Sequence, residues 1–132
     1  MLMADPELVA TFPGTPPGVG ELRRAVADVA RRAGMAETDV DAVRLAASEA
    51  ASNAVIHAYR DHVGDLRLRA RLEDGELLVV IADAGVGVAP RTDSPGLGLG
   101  LPIMAHVSER FEIVSGPAGT EIHLAFRCEP TG

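Results

Sequence analysis

The sequence predicts an α+β fold, a two-layer sandwich in which a mixed, mostly antiparallel sheet is covered on one face by helices. Two observations support this prediction. Hydrophobic residues recur at helical spacing in the first half of the chain and alternate with polar residues in much of the second half. The alternating segments are joined by short turn sequences, which is typical of hairpins. Helices that are kept apart from clustered hairpins indicate the two-layer arrangement.

The first elements are a short strand and a helix. Glu7–Phe12 is the predicted strand, and the turn-forming residues of Pro13–Gly20 predict a loop after it. Apolar residues at helical spacing then predict a helix over about Pro16–Ala33. Gly34 follows as the expected helix stop.

A second helix is predicted from a cap at Thr38 to about Tyr59, through an alanine-rich segment. It contains a polar pair, Glu49 and Asn53, whose spacing of four residues places both on one helical face. Carboxylate and amide oxygens suit Mg²⁺, and a glutamate can act as a general base. An ordinary solvated helix face is the alternative interpretation.

The second half of the chain predicts two hairpins. Leu66–Glu73 alternates apolar and charged residues, and Asp74-Gly75 is a strong turn signal between it and Glu76–Ala82. The second of these strands is almost continuously apolar and is therefore expected at the centre of the sheet. The other hairpin joins strands at about Glu109–Ser115 and Thr120–Arg127.

A glycine-rich loop, Ala84–Gly100, and a short helix at about Leu101–Val107 separate the hairpins. Asp83 stands where the apolar strand ends, and an aspartate there can accept a hydrogen bond from an exocyclic amine such as that of adenine. Gly85 and Gly87 would let the backbone approach a ligand closely. A tight turn, in which the aspartate bonds its own backbone, is the alternative.

The end of this loop has a second glycine pattern that leads into the short helix. Backbone N–H groups at a helix start suit a phosphate. A flexible loop anchored in the core by its leucines is the alternative. The pattern comprises Gly98, Leu99, Gly100 and Leu101.

Charge and residue usage exclude several classes of function. The net charge of −7 disfavours binding along a nucleic-acid backbone, which needs a basic face. All 12 basic residues are arginine. A P-loop and Schiff-base catalysis both need a lysine, so the sequence excludes them.

Length and composition predict a single domain over residues 1–132, with frayed tails at residues 1–6 and 128–132. Hydrophobic residues make up 47% of the chain and charged residues 23%, which is typical of a packed core. One cysteine cannot form an internal disulfide framework, which fits a reducing compartment. No secretory signal and no bilayer-length apolar run are present, so we expect a cytoplasmic protein without membrane contact.

The polar segments fall in the order of the nucleotide-binding boxes of a known superfamily. Glu49–Asn53 resembles the N-box of the GHKL ATPase/kinase superfamily, and Asp83–Gly87 resembles its D-x-G-x-G box. Gly98–Leu101 and Gly119–Thr120 resemble its second and third glycine boxes. The run Ser48–Tyr59 is most similar to the stand-alone anti-sigma factor serine/threonine kinases.

This resemblance implies a role for each box. Asn53 would hold Mg²⁺ against the triphosphate, and Glu49 would orient or deprotonate the attacking hydroxyl. Asp83 would bind the adenine amine, Gly87 would let the base pack closely, and Thr120 would add a polar contact near the adenine. The remaining nucleotide contacts would come from Gly85, Gly98, Leu99, Gly100 and Leu101.

The resemblance further implies an ATP-dependent protein serine/threonine kinase that acts as an anti-sigma factor. Such a protein phosphorylates a serine on a small antagonist protein, sequesters a sigma factor and commonly forms a homodimer. ATP and Mg²⁺ are its expected cofactors, and no direct nucleic-acid contact is expected. An ATP-binding module that sequesters a partner without kinase activity is the alternative.

Overall fold

Five strands and two helices make up the part of the chain that the computed structural model describes, namely residues 7–58, 64–84, 108–117 and 119–128. None of the helices in those ranges is both long and apolar enough to cross a membrane. A π-helical turn, here called the π-turn, continues the second helix. The elements are β1 (Glu7–Pro13), α1 (Pro16–Arg32), α2 (Glu37–Asn53), the π-turn (Ala54–Ala58), β2 (Asp65–Glu73), β3 (Glu76–Asp83), β4 (Arg110–Gly116) and β5 (Gly119–Arg127).

The strands form one sheet in the order β1-β2-β3-β5-β4. Each pairing among the described strands is antiparallel, so this sheet is antiparallel where a mixed one was expected. β3 lies at the centre, as its apolar run predicts. Asp74 and Gly75 make the β2–β3 turn with φ values of 51° and 77°, a conformation that favours glycine and is tolerated by aspartate. The predicted α+β class is confirmed.

The helices cover one face of the sheet. Alternate residues of β2 and β3, including Leu66, Leu68 and Val79, are fully buried and share one core with Leu22 and Val26 of α1. The residues between them on β2 are exposed, so the other face of the sheet is not covered by these helices. This is the two-layer arrangement that the alternating pattern predicts.

The start of α1 is fixed by a side-chain cap and by a close contact with β1. The Thr15 Oγ1 accepts a hydrogen bond from the Gly18 N–H at 3.2 Å, which satisfies one of the free N–H groups of the first turn. A Cβ at Gly18 would lie 1.7 Å from the carbonyl oxygen of Pro13, so only glycine allows this approach. The helix ends before Gly34, which has a φ of 89°, as predicted.

The predicted cap of α2 at Thr38 is wrong, because the cap lies two residues earlier, at Ala36, and the helix begins at Glu37. Ala36 occupies the cap position and makes no side-chain capping bond. Glu37 instead pairs with Arg31 from the last turn of α1, with 3.1 Å between Nε and Oε2. This ion pair lies at the observed start of α2, and the acidic side chains of Glu37 and Asp39 suit its first turn.

The buried face of α2 consists mainly of alanine, so its backbone lies close to its neighbours. The α-helical hydrogen bonding ends at Asn53, and the π-turn carries the chain on to Ala58. The uninterrupted α-helix that was expected to reach Tyr59 is therefore wrong from residue 54 to 58, and Tyr59 lies outside the described residues. Turns of this kind occur often at functional sites. The fully buried alanines are Ala46, Ala47, Ala50 and Ala51.

Cys128 belongs to the core and not to a frayed tail, contrary to expectation. It is 7% exposed, and its N–H donates to the carbonyl oxygen of Gly75 at 2.8 Å. Its thiol donates to the carbonyl oxygen of Ala33 at 3.3 Å, and burial raises the pKa of the thiol. Residues 1–6 and 129–132 lie outside the described part of the chain.

Candidate functional site

Three polar side chains form a row across the ends of β3, β5 and β4. Asp83 is the last residue of β3 and pairs directly with Thr120 of β5, which in turn pairs with Ser115 of β4. Directly paired residues of antiparallel strands project from the same face of the sheet. Here that face is the one covered by the helices, because Asp83 follows Ile81 and Val79 in the alternation of buried residues.

Two of these residues were predicted as site residues, and the fold brings them together. Asp83 is only 8% exposed, which is low for a carboxylate. Thr120 and Ser115 lie 3.2 Å apart, measured between their hydroxyl oxygens. Sequence reasoning missed Ser115. The hairpin signal of the turn after β4 was available, but only the register of that hairpin places Ser115 opposite Thr120.

Gly119 holds this end of the sheet together. Its φ is 128°, a conformation that side chains other than hydrogen disfavour. A Cβ at this position would lie 2.0 Å from the carbonyl oxygen of Asp83. The glycine of the third box therefore has a physical reason in this fold, because it lets β5 begin directly against the backbone of Asp83.

Asn53 is a buried amide with an unused donor. It ends α2, is 6% exposed, and its Nδ2 has no hydrogen-bond partner among the described residues. Leaving a buried donor unpaired costs about 1–3 kcal/mol. An acceptor supplied from outside the chain, such as a phosphate oxygen, would remove that cost, while the amide oxygen is a hard ligand of the kind that Mg²⁺ prefers. The residue thus fits a magnesium–phosphate group.

Glu49 stands one helical turn before Asn53 and is half-buried. The spacing puts the Cβ atoms of the two residues about 5–6 Å apart on the same side of α2. The helix therefore presents a carboxylate at its surface and an amide in the interior. α2 also packs against β3 and β5, the strands that contain Asp83 and Thr120.

The remaining predicted contacts cannot be placed in this arrangement. Two of them, Gly85 and Gly87, follow β3. All six lie outside the described residues, so their assignment stays a prediction. The other four are Gly98, Leu99, Gly100 and Leu101.

Comparison with known proteins identifies a family over most of the chain. Residues 12–126 match the model of the histidine kinase-like ATPase domain. Proteins named serine-protein kinase RsbW, from Bacillus thuringiensis (strain Al Hakam) and Bacillus anthracis, are each 38% identical over 68 residues. That stretch is 52% of this chain and 42% of theirs, so the chain spans less than half the length of the curated relatives it matches.

Solved structures show the same fold at lower sequence identity. The crystal structure of the RsbU and RsbW domains of Rv1364c from Mycobacterium tuberculosis matches with a TM-score of 0.73 and 23% identity, over 92% of this chain and 32% of that one. A histidine kinase domain from Erythrobacter litoralis matches with a TM-score of 0.61 and 22% identity, over 84% of this chain and 59% of that one. At these identities the matches establish the α+β fold and nothing further.

Proposed function

The chain belongs to the histidine kinase-like ATPase domain family, and we propose that it is an ATP-dependent protein serine/threonine kinase that acts as an anti-sigma factor. In this proposal it phosphorylates a serine on a small antagonist protein and also sequesters a sigma factor, which would place it in the cytoplasm. The proposal is supported by relatives named serine-protein kinase, each 38% identical over 68 residues. It is also supported by the polar pair on α2.

The observation on which the proposal mainly rests is the unpaired amide of Asn53. In an interior lined by alanine, an amide without a partner is a net cost to folding unless a ligand uses it. We assign this amide to a nucleotide-bound Mg²⁺ and the neighbouring phosphate oxygens. When bound, Mg-ATP supplies the γ-phosphoryl group and the metal neutralises its negative charge.

Glu49 is the proposed base. Its position one turn from Asn53 supports a role beside the γ-phosphate in this proposal, and because it is half-buried it is within reach of a second protein. The carboxylate accepts the proton of the substrate serine, and the serine oxygen bonds to the γ-phosphorus. The bond from that phosphorus to the bridging oxygen breaks, and ADP leaves. Catalysis of this kind depends chiefly on positioning.

Asp83 is the proposed selector of adenine. Its burial at the end of β3, next to Thr120, suits an acceptor for the adenine amine. Guanine presents a carbonyl at the equivalent position, and two facing acceptors would stay unpaired at a cost of about 1–3 kcal/mol. Binding of ATP should therefore be stronger than binding of GTP by roughly tenfold or more.

The test of the kinase proposal is the variant Glu49→Gln with γ-labelled Mg-ATP and the antagonist protein encoded nearest to the gene for this chain. We expect the variant to bind nucleotide as the wild type does and to lose transfer of label to serine. Ser48→Ala, a neighbouring half-buried position, is the matched control and should retain transfer. Undiminished transfer by Glu49→Gln would exclude the role of base, and a wild type that binds ATP and its partner without transfer would favour the sequestering module.

The open face of the sheet supports a homodimer. Leu78 and Val80 lie at its centre in a shallow depression of about 770 Å³. On the neighbouring strand, Arg67 and Arg69 project from the same face, are exposed, and form no ion pair with any described residue. Glu121 lies on the other side of β3, opposite Ala82. The face is therefore apolar along its middle, with Arg67 and Arg69 on one side and Glu121, paired with His123 at 2.8 Å, on the other.

This arrangement of apolar and charged side chains on the open face would match the same face of a second copy. A two-fold axis parallel to β3 would stack the apolar centres of two copies and place Arg67 of each copy over Glu121 of the other. Self-complementary patches are what two-fold dimers require. We therefore propose this face as the contact between two copies.

A further inference from the structure

Two large apolar side chains are exposed on the outer side of α2 and its π-turn. Leu45 is 43% exposed and Ile56 is 53% exposed, whereas most large apolar residues of the described chain are buried. They precede and follow Glu49, the proposed base. Ser48 and Ser52, which are half-buried, are the small side chains between them.

Helical geometry and exposure place these residues on one side of α2 and its π-turn. Leu45 is four residues before Glu49, a spacing that returns to the same side of an α-helix. Ile56 lies three residues past the end of α2, in the π-turn, and its exposure places it on the solvent side as well. At a rise of 1.5 Å per residue, Leu45 lies about 6 Å before Glu49 along the axis and Ile56 about 10 Å after it. The surface next to the carboxylate is therefore apolar on both sides.

Among the described residues of α2, the cation next to this surface is already paired. The cation nearest to Leu45 in the sequence, Arg44, is paired with Asp41 at 2.5 Å. Neither residue therefore offers an uncompensated charge to a ligand. An apolar surface is also unsuited to the phosphates and ribose of a nucleotide. A protein segment with apolar side chains is the occupant that matches it.

We propose that Leu45 and Ile56 are the docking surface for the serine-bearing segment of the protein substrate. The inference rests on the proposed function, because a serine hydroxyl must reach Glu49 for transfer to occur. In this proposal the segment runs along α2 with its serine at Glu49, so that its flanks lie over both apolar side chains. An extended chain advances about 3.3 Å per residue. Its apolar side chains should therefore lie about two residues to one side of the serine and about three to the other.

Short synthetic peptides with one central serine test this inference. One set has leucine at both flanking positions, in either chain direction, and the second set has alanine there. With the wild type and Mg-ATP we expect kcat/KM to be about tenfold higher for one leucine peptide than for its alanine counterpart, which is the effect of burying half-exposed apolar side chains.

Substitutions in the protein complete the test. Leu45→Ser and Ile56→Ser should each raise KM for the leucine peptide about three- to tenfold. The kcat, the KM for ATP and the KM for the alanine peptide should stay unchanged. Leu45→Met, which keeps an apolar side chain, should keep the wild-type KM for the leucine peptide. Val114→Ser is the matched control, because Val114 is 46% exposed but lies on β4, on the face of the sheet that the helices do not cover. It should leave KM for both peptides unchanged.

Three other results of these experiments would each contradict one part of the proposal. Equal use of both peptides, or variants whose KM stays at the wild-type value, would overturn the docking surface. Phosphorylation of neither peptide by a protein that Mg-ATP stabilises against unfolding would overturn docking of a short segment, while the kinase proposal would still be decided with the antagonist protein. A protein that Mg-ATP does not stabilise would overturn the proposed function itself.

Discussion

Asp83 and Gly119 make a contact that no other residue at position 119 allows. The carbonyl oxygen of Asp83 occupies the space where a Cβ of residue 119 would stand, at 2.0 Å. The contact fixes the first residues of β5 against the end of β3 and so determines where Thr120 lies. A glycine that makes no direct bond in the site thus controls its geometry.

The variant Gly119→Ala should be strongly destabilised and should lose nucleotide affinity. The added methyl group forces β5 away from Asp83, and the φ of 128° adds backbone strain. Gly34→Ala is the matched control, because Gly34 also has a positive φ, 89°, but nothing lies within 4 Å of its Cβ position. Urea unfolding should show a loss of about 1–2 kcal/mol for the control, which is the cost of the left-handed conformation, and a larger loss for Gly119→Ala. Equal losses would mean that the contact is easily relieved.

The variant Asn53→Ala should lose binding of Mg-ATP while its stability without ligand is kept. Because the Nδ2 is unpaired, its removal should leave the free energy of unfolding without ligand unchanged or slightly increased. Mg-ATP at about a hundred times its dissociation constant should stabilise the wild type by about 2.7 kcal/mol, a rise in Tm of roughly 5–15 °C. We expect this rise to disappear in the variant.

Thermal unfolding with Mg-ATP, Mg-GTP, and ATP with EDTA measures these shifts. Ser52→Ala, the residue next to Asn53, is the control and should keep the wild-type response. The shift should be largest with Mg-ATP and smaller with Mg-GTP, in accord with the assignment of Asp83. An Asn53→Ala protein that Mg-ATP stabilises as much as the wild type would remove Asn53 from the site.

The variant Val80→Glu should convert a dimer into monomers. Val80 lies in the apolar centre of the open face, where a two-fold contact would bring two copies of the new carboxylate together without water. Sedimentation at micromolar concentration should show a dimer for the wild type and a monomer for the variant, with similar unfolding in urea. Thr38→Glu, an exposed position on α2, is the control and should remain dimeric. A monomeric wild type would exclude this contact.

The junction of α1 and α2 should weaken in acid. The hydrogen bonds from the Arg31 guanidinium, together with its charge, hold the pKa of Glu37 below its ordinary value. A carboxylate with a lowered pKa in the folded state stabilises the fold at a pH above the unfolded value of about 4.3, and this contribution is lost as the pH falls through the folded value. Glu37→Gln should therefore be slightly less stable than the wild type at neutral pH and equally stable in strong acid.

Urea unfolding at a series of pH values measures this difference. Because both side chains are exposed, the effect should be small and should decrease further in high salt. Arg31→Gln serves as the partner variant, and Glu37→Gln should have no additional effect in its background. A pH-independent difference between the wild type and Glu37→Gln would show that the ion pair is not its cause.

Local patterns in the sequence were sufficient for the main elements. The alternation in Leu66–Glu73 and the Asp74-Gly75 turn predicted the first hairpin, and the helical spacing after Pro16 predicted α1. Each predicted strand agrees with the observed one to within one residue at either end. These features depend on contacts between residues that are near one another in the chain, and such contacts leave a visible pattern.

Features that depend on distant segments were missed. Thr38 has the residue type of a cap, but α2 begins before it, at Glu37, which pairs with Arg31 of α1. Ser115 entered the polar row only through the register of β4 and β5. The π-turn was not predicted, because it differs from an α-helix in its backbone hydrogen bonds and leaves no pattern of side chains in the sequence. The pair of Glu49 and Asn53 was found from spacing alone, but the unpaired donor of Asn53 required the packing around it.

The alanine face of α2 makes the site more vulnerable to gain of volume than to loss of it. Ala46, Ala47, Ala50 and Ala51 have almost no side chain to lose, so truncation there removes little packing. Any enlargement pushes the whole helix outward, since no rotamer change can relieve it. Asn53 and Glu49 would then move away from β3 together, and a conservative-looking replacement of alanine by valine, far from any ligand, would act as a loss-of-function mutation.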